Sequence, residues 1–128
     1  MRRRVLLAAN DVDLIANLQT ILQAHDYLML VAPDLATAQE LALVQQPLVV
    51  IIDLDLPAGS GRELARSLRQ HRDTLSQPVI LLAGQPSQDD YRFAFAQGVA
   101  KFITKPLRPV ELIHAVDELV DRRRFQQA

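Results

Sequence analysis

Residues 48–61, LVVIIDLDLPAGSG, join an uninterrupted apolar run to an acidic residue and a loop rich in proline, glycine and serine. Apolar runs without polar alternation are typical of strands that are buried on both faces of a parallel sheet. The stretch therefore predicts a buried strand that carries Asp53 at its carboxyl end. Ser60 and Glu63 have the spacing of a capping box, which predicts that a helix begins directly after the loop.

Four more apolar runs of the same kind recur along the chain, at residues 5–9, 28–32, 79–83 and 102–103. Apolar residues at helical spacing lie between them, most clearly Leu14, Ile15, Leu18, Ile21 and Leu22, and later Val110, Ile113, Val116 and Val120. A strand that alternates with a helix crosses over right-handedly to a parallel neighbour. Five such units predict a doubly wound α/β domain, with helices on both faces of one parallel sheet.

Several residues mark the predicted helix boundaries. Asp34 is suited to cap the second helix, and Ser87 with Asp90 has capping-box spacing at the start of the fourth. Gly98 is suited to close the fourth helix, and Pro109 fits the first position of the fifth. These signals support the order of elements that the apolar pattern predicts.

The composition favours a globular, soluble protein. The 128 residues suit one domain that spans residues 1–128, with 49% hydrophobic and 23% charged residues and a net charge of −1. That charge does not point to nucleic acid or to an anionic membrane. The lack of cysteine excludes disulfides, thiolate catalysis and cysteine-ligated metals. No apolar run has membrane-spanning length, and the basic start leads into too short a run for a signal peptide, so we expect a cytoplasmic protein.

In a doubly wound fold, the functional crevice lies beyond the carboxyl ends of the strands. The residues at those ends are Asn10, Asp53, Ala83 and Lys105. Asp53 alone could simply end a strand, because aspartate favours turns, and Lys105 could be an ordinary exposed lysine. However, only Lys101 and Lys105 among the 14 cationic residues are lysines. The expected convergence of Asp53 and Lys105 on one crevice therefore favours a site.

The segments DLDLPAGSG and GVAKFITKP resemble those of the receiver domains of bacterial two-component response regulators. The resemblance covers nearly the whole chain and implies a flavodoxin-like (βα)5 fold with strand order 2-1-3-4-5. It implies that a histidine kinase or phosphotransfer protein donates a phosphoryl group to Asp53, while Lys105 and Mg²⁺ neutralise its charge. It also implies a cis peptide bond before Pro106. A receiver is a regulatory domain rather than an enzyme, and no organic cofactor is implied.

The chain departs from the family pattern at the end of the first strand. Receivers usually carry two adjacent acids there, and the matching positions are Ala9 and Asn10. The resemblance leaves Asn10, Asp53 and the backbone carbonyl of Asp55 to hold a weakly bound Mg²⁺, because neutral oxygens are poorer partners for a hard dication. Asp11 could compensate in part, although Asn10 or Asp11 is also suited to cap the first helix.

A second departure lies after the fourth strand. Ala83 matches a position that usually holds serine or threonine, so it lacks the hydroxyl that binds a phosphoryl oxygen. Phe102 matches the aromatic switch position and is equally suited to the core, while Gly84 keeps space for a phosphodonor. We expect a degenerate receiver with weakened Mg²⁺-dependent phosphorylation at Asp53, and the alternative is a fully phosphorylatable switch.

Other functions remain open at this point. The Asp-x-Asp pattern of Asp53 and Asp55 resembles that of haloacid-dehalogenase-type phosphatases, but the chain lacks their further hydroxyl and acidic residues. An FMN-binding flavodoxin needs a hydroxyl-rich and glycine-rich loop after the first strand, which AANDVDL does not provide.

The helix 4, strand 5 and helix 5 face could dock a second copy of the chain or an output partner, and the aromatic residues in or near it are Tyr91, Phe93, Phe95 and Phe102. Arginine triplets at both ends could form one basic patch or remain as solvated termini.

Overall fold

The computed structural model describes residues 3–127, with side chains described for residues 3–122. Strands and helices alternate along this part of the chain. They are β1 (Arg3–Ala8), α1 (Val12–Ala24), β2 (Tyr27–Ala32), α2 (Leu35–Gln45), β3 (Val49–Asp53), α3 (Ser60–Gln70), β4 (Val79–Ala83), α4 (Gln88–Ala96), β5 (Lys101–Thr104) and α5 (Pro109–Gln127). A single turn of 3₁₀ helix at Pro57–Gly59 precedes α3.

The five strands form one sheet in the order β2-β1-β3-β4-β5, and every neighbouring pair is parallel. This confirms the predicted doubly wound fold and its strand order. The register places Asp53 of β3 opposite Leu82 of β4 and Ala83 opposite Thr104 of β5. The carboxyl ends of the three strands therefore meet at one edge of the sheet.

Two apolar cores cover the two faces of the sheet. Val5 and Leu7 of β1 face one core with residues of α1 and α5, whereas Leu6 and Ala8 face the other with residues of α2, α3 and α4. All the residues of β3 and β4 are buried. Each fully buried leucine or isoleucine contributes about 1.5–3 kcal/mol relative to an exposed one. Burial on both faces thus explains why β3 and β4 read as continuous apolar runs, whereas the outer strands β2 and β5 are only partly buried.

Most of the predicted helix boundaries are confirmed. Asp34 accepts a hydrogen bond from the Thr37 amide at 2.8 Å, and Ser87 and Asp90 form a reciprocal capping box. Gly98 follows α4 with a φ of +66°, a conformation that favours glycine. The helix α5 begins at Pro109 as expected.

Two local predictions are wrong. Ser60 does not cap α3, because the 3₁₀ turn carries the chain into the helix and Gly59, with a φ of +71°, takes the cap position without a side-chain bond. Val110 does not belong to the buried face of α5, since it is 75% exposed. The buried face of α5 consists of Leu112, Ala115, Val116, Leu119 and Val120.

None of the helices in the described part of the chain combines the length and the apolar character needed to cross a membrane.

Candidate functional site

The structure brings Asp53 and Lys105 into direct contact. Asp53 ends β3 and is only 3% exposed, while Lys105 follows β5 and is held there by its amide, which donates to the carbonyl of Ala83 at 2.9 Å. The Lys105 ammonium donates to both carboxylate oxygens of Asp53, each at 2.9 Å. A buried carboxylate and a lysine thus form an ion pair at the edge where the sequence predicts the crevice. The peptide bond between Lys105 and Pro106 is cis, as predicted.

Asp55 joins this pair with both its backbone and its side chain. Its amide donates to Asp53 Oδ1 at 2.8 Å. Its carboxylate Oδ2 accepts from Lys105 Nζ at 2.9 Å and from the Gly84 amide at 3.0 Å. For a receiver, the sequence predicted a role only for the backbone carbonyl of Asp55. The carboxylate therefore makes an unpredicted bridge between the loop after β3 and the loop after β4.

The electrostatics of the cluster keep Lys105 charged. Burial by itself lowers the pKa of Lys105, but the hydrogen bonds and negative charges of Asp53 and Asp55 outweigh it and raise the pKa above its ordinary value. The two carboxylates and one ammonium leave a formal charge of −1. The net negative charge of the cluster can therefore attract a cation. The Lys105 ammonium is the positive group that the cluster offers to an anion.

Gly61 is a further residue on which the site depends. A Cβ atom at this position would lie 2.7 Å from the Asp53 carbonyl oxygen, which is closer than real contacts allow, and 3.1 Å from the Leu54 Cα, which is a tight contact. Only glycine lets the first turn of α3 pack this tightly against the end of β3. Sequence reasoning missed this role, and the available signal was a glycine inside the first turn of a predicted helix.

The predicted metal-binding positions differ in what they offer. Ala9 is fully buried and has no side-chain ligand atom, whereas Asn10 is exposed in the loop after β1. Asp11 caps α1, because its Oδ1 accepts from the amides of Asp13 and Leu14 at 3.0 and 3.2 Å. Within the described side chains, no group of three or more histidines or acids is arranged to hold a metal ion. Asp53 is thus the buried carboxylate on which a cation site would have to depend.

Ala83 and Phe102 lie where the strand pattern predicts. Ala83 is 2% exposed at the end of β4 and presents only a methyl group. Phe102 is half-buried on β5, packs against one of the two cores, and contacts the Tyr91 ring of α4 with centroids 4.7 Å apart. Of the other aromatic residues near this face, Phe93 is buried and Phe95 is 90% exposed. Because Tyr91 is itself 49% exposed, the face combines the buried Phe93 and the half-buried Phe102 with two exposed rings.

Two of the described members of the arginine triplets, Arg3 and Arg122, are paired with acids. Arg3 lies 3.7 Å from Asp117, and Arg122 lies 2.7 Å from Glu118. Arg2 and the side chains of Arg123 and Arg124 lie outside the described residues. The structure therefore adds no support for a basic patch in the part it describes.

Comparison with known proteins gives a consistent result. A model of the response regulator receiver domain family matches residues 5–117. The transcriptional regulatory protein YxdJ of Bacillus subtilis is 28% identical over 103 residues, which are 80% of this chain and 44% of that protein. The phosphate regulon transcriptional regulatory protein PhoB of Pseudomonas aeruginosa is 26% identical over 120 residues, 94% of this chain and 52% of its own length.

The solved structures agree on the fold. A CheY-like response regulator receiver domain protein from Methanospirillum hungatei superposes with a TM-score of 0.90 at 21% identity, covering 98% of this chain and 99% of its own. At that identity the likeness concerns the fold. The chain spans about half the length of the curated relatives it matches.

Proposed function

Because the chain belongs to the response regulator receiver domain family, we propose that it is a degenerate receiver in which phosphorylation of Asp53 is weakened. Membership of this family makes the chain a regulatory receiver domain of a two-component system. Weakened phosphorylation is supported by the composition of the site. Asp53 keeps its lysine partner, at 2.9 Å from both oxygens, while Ala9, Asn10 and Ala83 lack the acids and the hydroxyl of the family pattern.

The ion pair supports a phosphoacceptor role for Asp53. In the proposed step, a carboxylate oxygen of Asp53 forms a bond to phosphorus, the bond from phosphorus to the leaving atom breaks, and the leaving group keeps that electron pair. Such transfers depend mainly on positioning and on charge stabilisation. The buried position of Asp53 fixes the nucleophile, and the charged Lys105 ammonium offsets the negative charge that gathers around it.

The oxygen ligands that remain fit a weakly held Mg²⁺. The carboxylate of Asp53, the amide oxygen of Asn10 and the backbone carbonyl of Asp55 would hold it, with water completing the oxygen shell that Mg²⁺ prefers. When bound, Mg²⁺ supplies positive charge to phosphoryl oxygens. A single carboxylate in this set gives less attraction than the three carboxylates of the usual pattern, so we propose low affinity.

Ala83 removes a further contribution to phosphoryl binding. Its methyl group cannot donate a hydrogen bond, so the backbone amide of Gly84 is left as the donor that follows β4. The half-buried Phe102 ring already contacts Tyr91. We propose that rearrangement of this aromatic pair is coupled less strongly to Asp53 than in a receiver that carries the hydroxyl.

The proposal is tested with acetyl phosphate and Mg²⁺, followed by intact-mass analysis. The wild-type protein should form little stable adduct, and Asp53→Asn should form none. A combined variant with Ala9→Asp, Asn10→Asp and Ala83→Thr should form more adduct than wild type. Rapid, stoichiometric and Mg²⁺-dependent modification of the wild-type protein would instead favour the fully phosphorylatable alternative. Hydrolysis of an aryl phosphate that is lost in Asp53→Asn would favour the phosphatase alternative.

The partners belong to the same proposal. Receiver domains are phosphorylated by histidine kinases, so we propose a histidine kinase or phosphotransfer protein as donor and the cytoplasm as location. The matched relatives are transcriptional regulators of about twice this length, which supports a separate output partner or domain.

The α4, β5 and α5 face exposes Phe95 and Val110, and we propose it as a homodimer face. A monomer by light scattering at high concentration would count against the dimer.

A further inference from the structure

Two hydrogen-bond donors beside Asp53, the Lys105 ammonium and the Gly84 amide, are engaged by carboxylates. An ammonium group has three N–H donors, and the Lys105 ammonium lies 2.9 Å from each of three oxygens, namely both of Asp53 and Oδ2 of Asp55. The same Asp55 oxygen accepts from the Gly84 amide at 3.0 Å. Asp55 Oδ2 thus accepts two hydrogen bonds, one from the Gly84 amide in the loop after β4 and one from Lys105, which follows β5.

A phosphoryl group on Asp53 would need those same two donors. An acyl phosphate adds a doubly negative tetrahedral group beyond the carboxylate, so its oxygens require donors outside Asp53 itself. Lys105 and the Gly84 amide provide them at this edge of the sheet, whereas Ala83 offers only a methyl group. The Asp55 carboxylate therefore competes for the donors that an incoming phosphoryl group would use.

We propose that the Asp55 carboxylate is an internal anion that occupies the phosphoryl-binding donors of this receiver and opposes phosphorylation of Asp53. This inference rests on the proposed function, because it concerns the same site. The effect of Asp55 is separate from the loss of the acids and the hydroxyl, because here a residue that is present inhibits phosphorylation.

Local geometry holds the internal anion in place without burying it. The Asp55 amide donates to Asp53 Oδ1 at 2.8 Å, which fixes the backbone of Asp55 beside the acceptor. A Cβ atom on Gly84 would lie 3.3 Å from Asp55 Oδ2, so glycine allows the close approach. The Asp55 side chain is 52% exposed. It can therefore swing into water when a stronger ligand arrives, which makes it a competitor rather than a permanent block.

The first test removes phosphoryl transfer altogether. In an Asp53→Asn background, inorganic phosphate is titrated while the Gly84 amide resonance is followed by NMR, with and without Asp55→Ala. Removing the nearby negative charge and freeing two donors should tighten phosphate binding about tenfold, after allowance for the half-exposed position of Asp55. Asp73→Asn in the same background is the control, because it makes the same charge change in the exposed loop before β4. It should leave the affinity unchanged.

Equal phosphate affinity with and without Asp55→Ala, or no measurable binding in either protein, would overturn the internal-anion proposal. An equal gain from the control Asp73→Asn would also overturn it, because the effect would then be one of net charge. Asp55→Asn provides a second variant that keeps a neutral acceptor oxygen. Its affinity should lie between those of the Asp55 and Asp55→Ala proteins.

The second test uses the native Asp53 with acetyl phosphate and Mg²⁺. Asp55→Ala should raise the rate of adduct formation about tenfold by the same charge argument, whereas Asp73→Asn should not. The two tests separate the two proposals. If phosphate binding responds to Asp55→Ala but no variant forms an adduct, occupation of the donors by Asp55 stands, whereas the phosphoacceptor proposal and an effect of Asp55 on phosphorylation fail. If adducts form at equal rates and phosphate binding is unaffected, the receiver proposal stands and the internal anion fails.

Discussion

Substitution of Lys105 by methionine should show how much the stability of the fold depends on the ion pair at the carboxyl edge of the sheet. The change keeps most of the apolar stem but removes the ammonium that contacts both oxygens of Asp53. Asp53 is 3% exposed, so its carboxylate would then be buried with the Asp55 amide as its remaining described hydrogen-bond donor. A buried charge that loses its partner is strongly destabilising.

The size of the effect follows from the exposure of each group. Removing one partner of a fully buried ion pair costs about 3–5 kcal/mol. The Lys105 side chain is 21% exposed, so water replaces part of the lost interaction, and we expect a loss of about 2–3 kcal/mol of unfolding free energy. If Asp53 is first changed to asparagine, the same Lys105→Met substitution should cost about 1 kcal/mol or less, because the amide carries no charge.

Urea denaturation of the four proteins in this double-mutant cycle measures the coupling directly. The chain offers a matched control in its other lysine, since Lys101 lies 3.2 Å from Glu118 with side chains 35% and 39% exposed. A cycle with Lys101→Met and Glu118→Gln should give a coupling below about 1 kcal/mol. A coupling between Lys105 and Asp53 no larger than this control would refute the assignment of Lys105 as the stabilising partner of a buried carboxylate.

The same pair predicts a dependence on pH. The pKa of Lys105 is raised above its ordinary value of 10.5, so the folded protein binds the proton more tightly than the unfolded chain. The resulting stability is fully present below the ordinary pKa and is lost as the pH rises through the folded pKa. The unfolding free energy of the wild-type protein should therefore fall in this alkaline range. Part of that fall should be absent in Lys105→Met.

Two further predictions concern other parts of the fold. Burial and a hydrogen bond to Asp117 raise the pKa of Tyr27 to about 12, so tyrosinate absorbance should show a step near that pH, and Tyr27→Phe should abolish it. The stability that Tyr27 contributes should be lost over the same rise in pH. Gly61→Ala should cost about 1–3 kcal/mol through the clash with the Asp53 carbonyl, measured by urea denaturation. Gly59→Ala, where a Cβ meets nothing within 4 Å, is the comparison without a clash, and its cost of about 1–2 kcal/mol should come from left-handed backbone strain alone.

The fold was predictable because its main signal is local in sequence and repeated. Strands buried on both faces must be apolar at every position, and β3 and β4 satisfy this. The meeting of Asp53 and Lys105 then followed from topology, since parallel strands bring their carboxyl ends to one edge. Capping by Asp34 was likewise local, because the side chain and the amide it binds are three residues apart.

The features that escaped prediction depend on packing between segments. The bridge from Asp55 to Gly84 spans 29 residues and exists only because two loops meet above the sheet. The need for glycine at position 61 arises from the distance between α3 and the end of β3. Ser60 failed as a cap because the 3₁₀ turn before it shifts the start of the helix by its own geometry. No pattern of residue types along the chain encodes these distances.

The departures from the family pattern act together on charge. The positions after β1 that usually carry two acids are neutral here, at Ala9 and Asn10, whereas Asp55 places a carboxylate against Lys105 and the Gly84 amide. A negative charge at the first place attracts a metal cation, but at the second it repels a phosphoryl group. Negative charge is therefore missing where it would assist phosphorylation and present where we propose that it opposes it. Restoring the acids after β1 should strengthen metal binding, and Asp55→Ala should remove the repulsion of the phosphoryl group. We therefore expect the two changes together to give more adduct than either change alone.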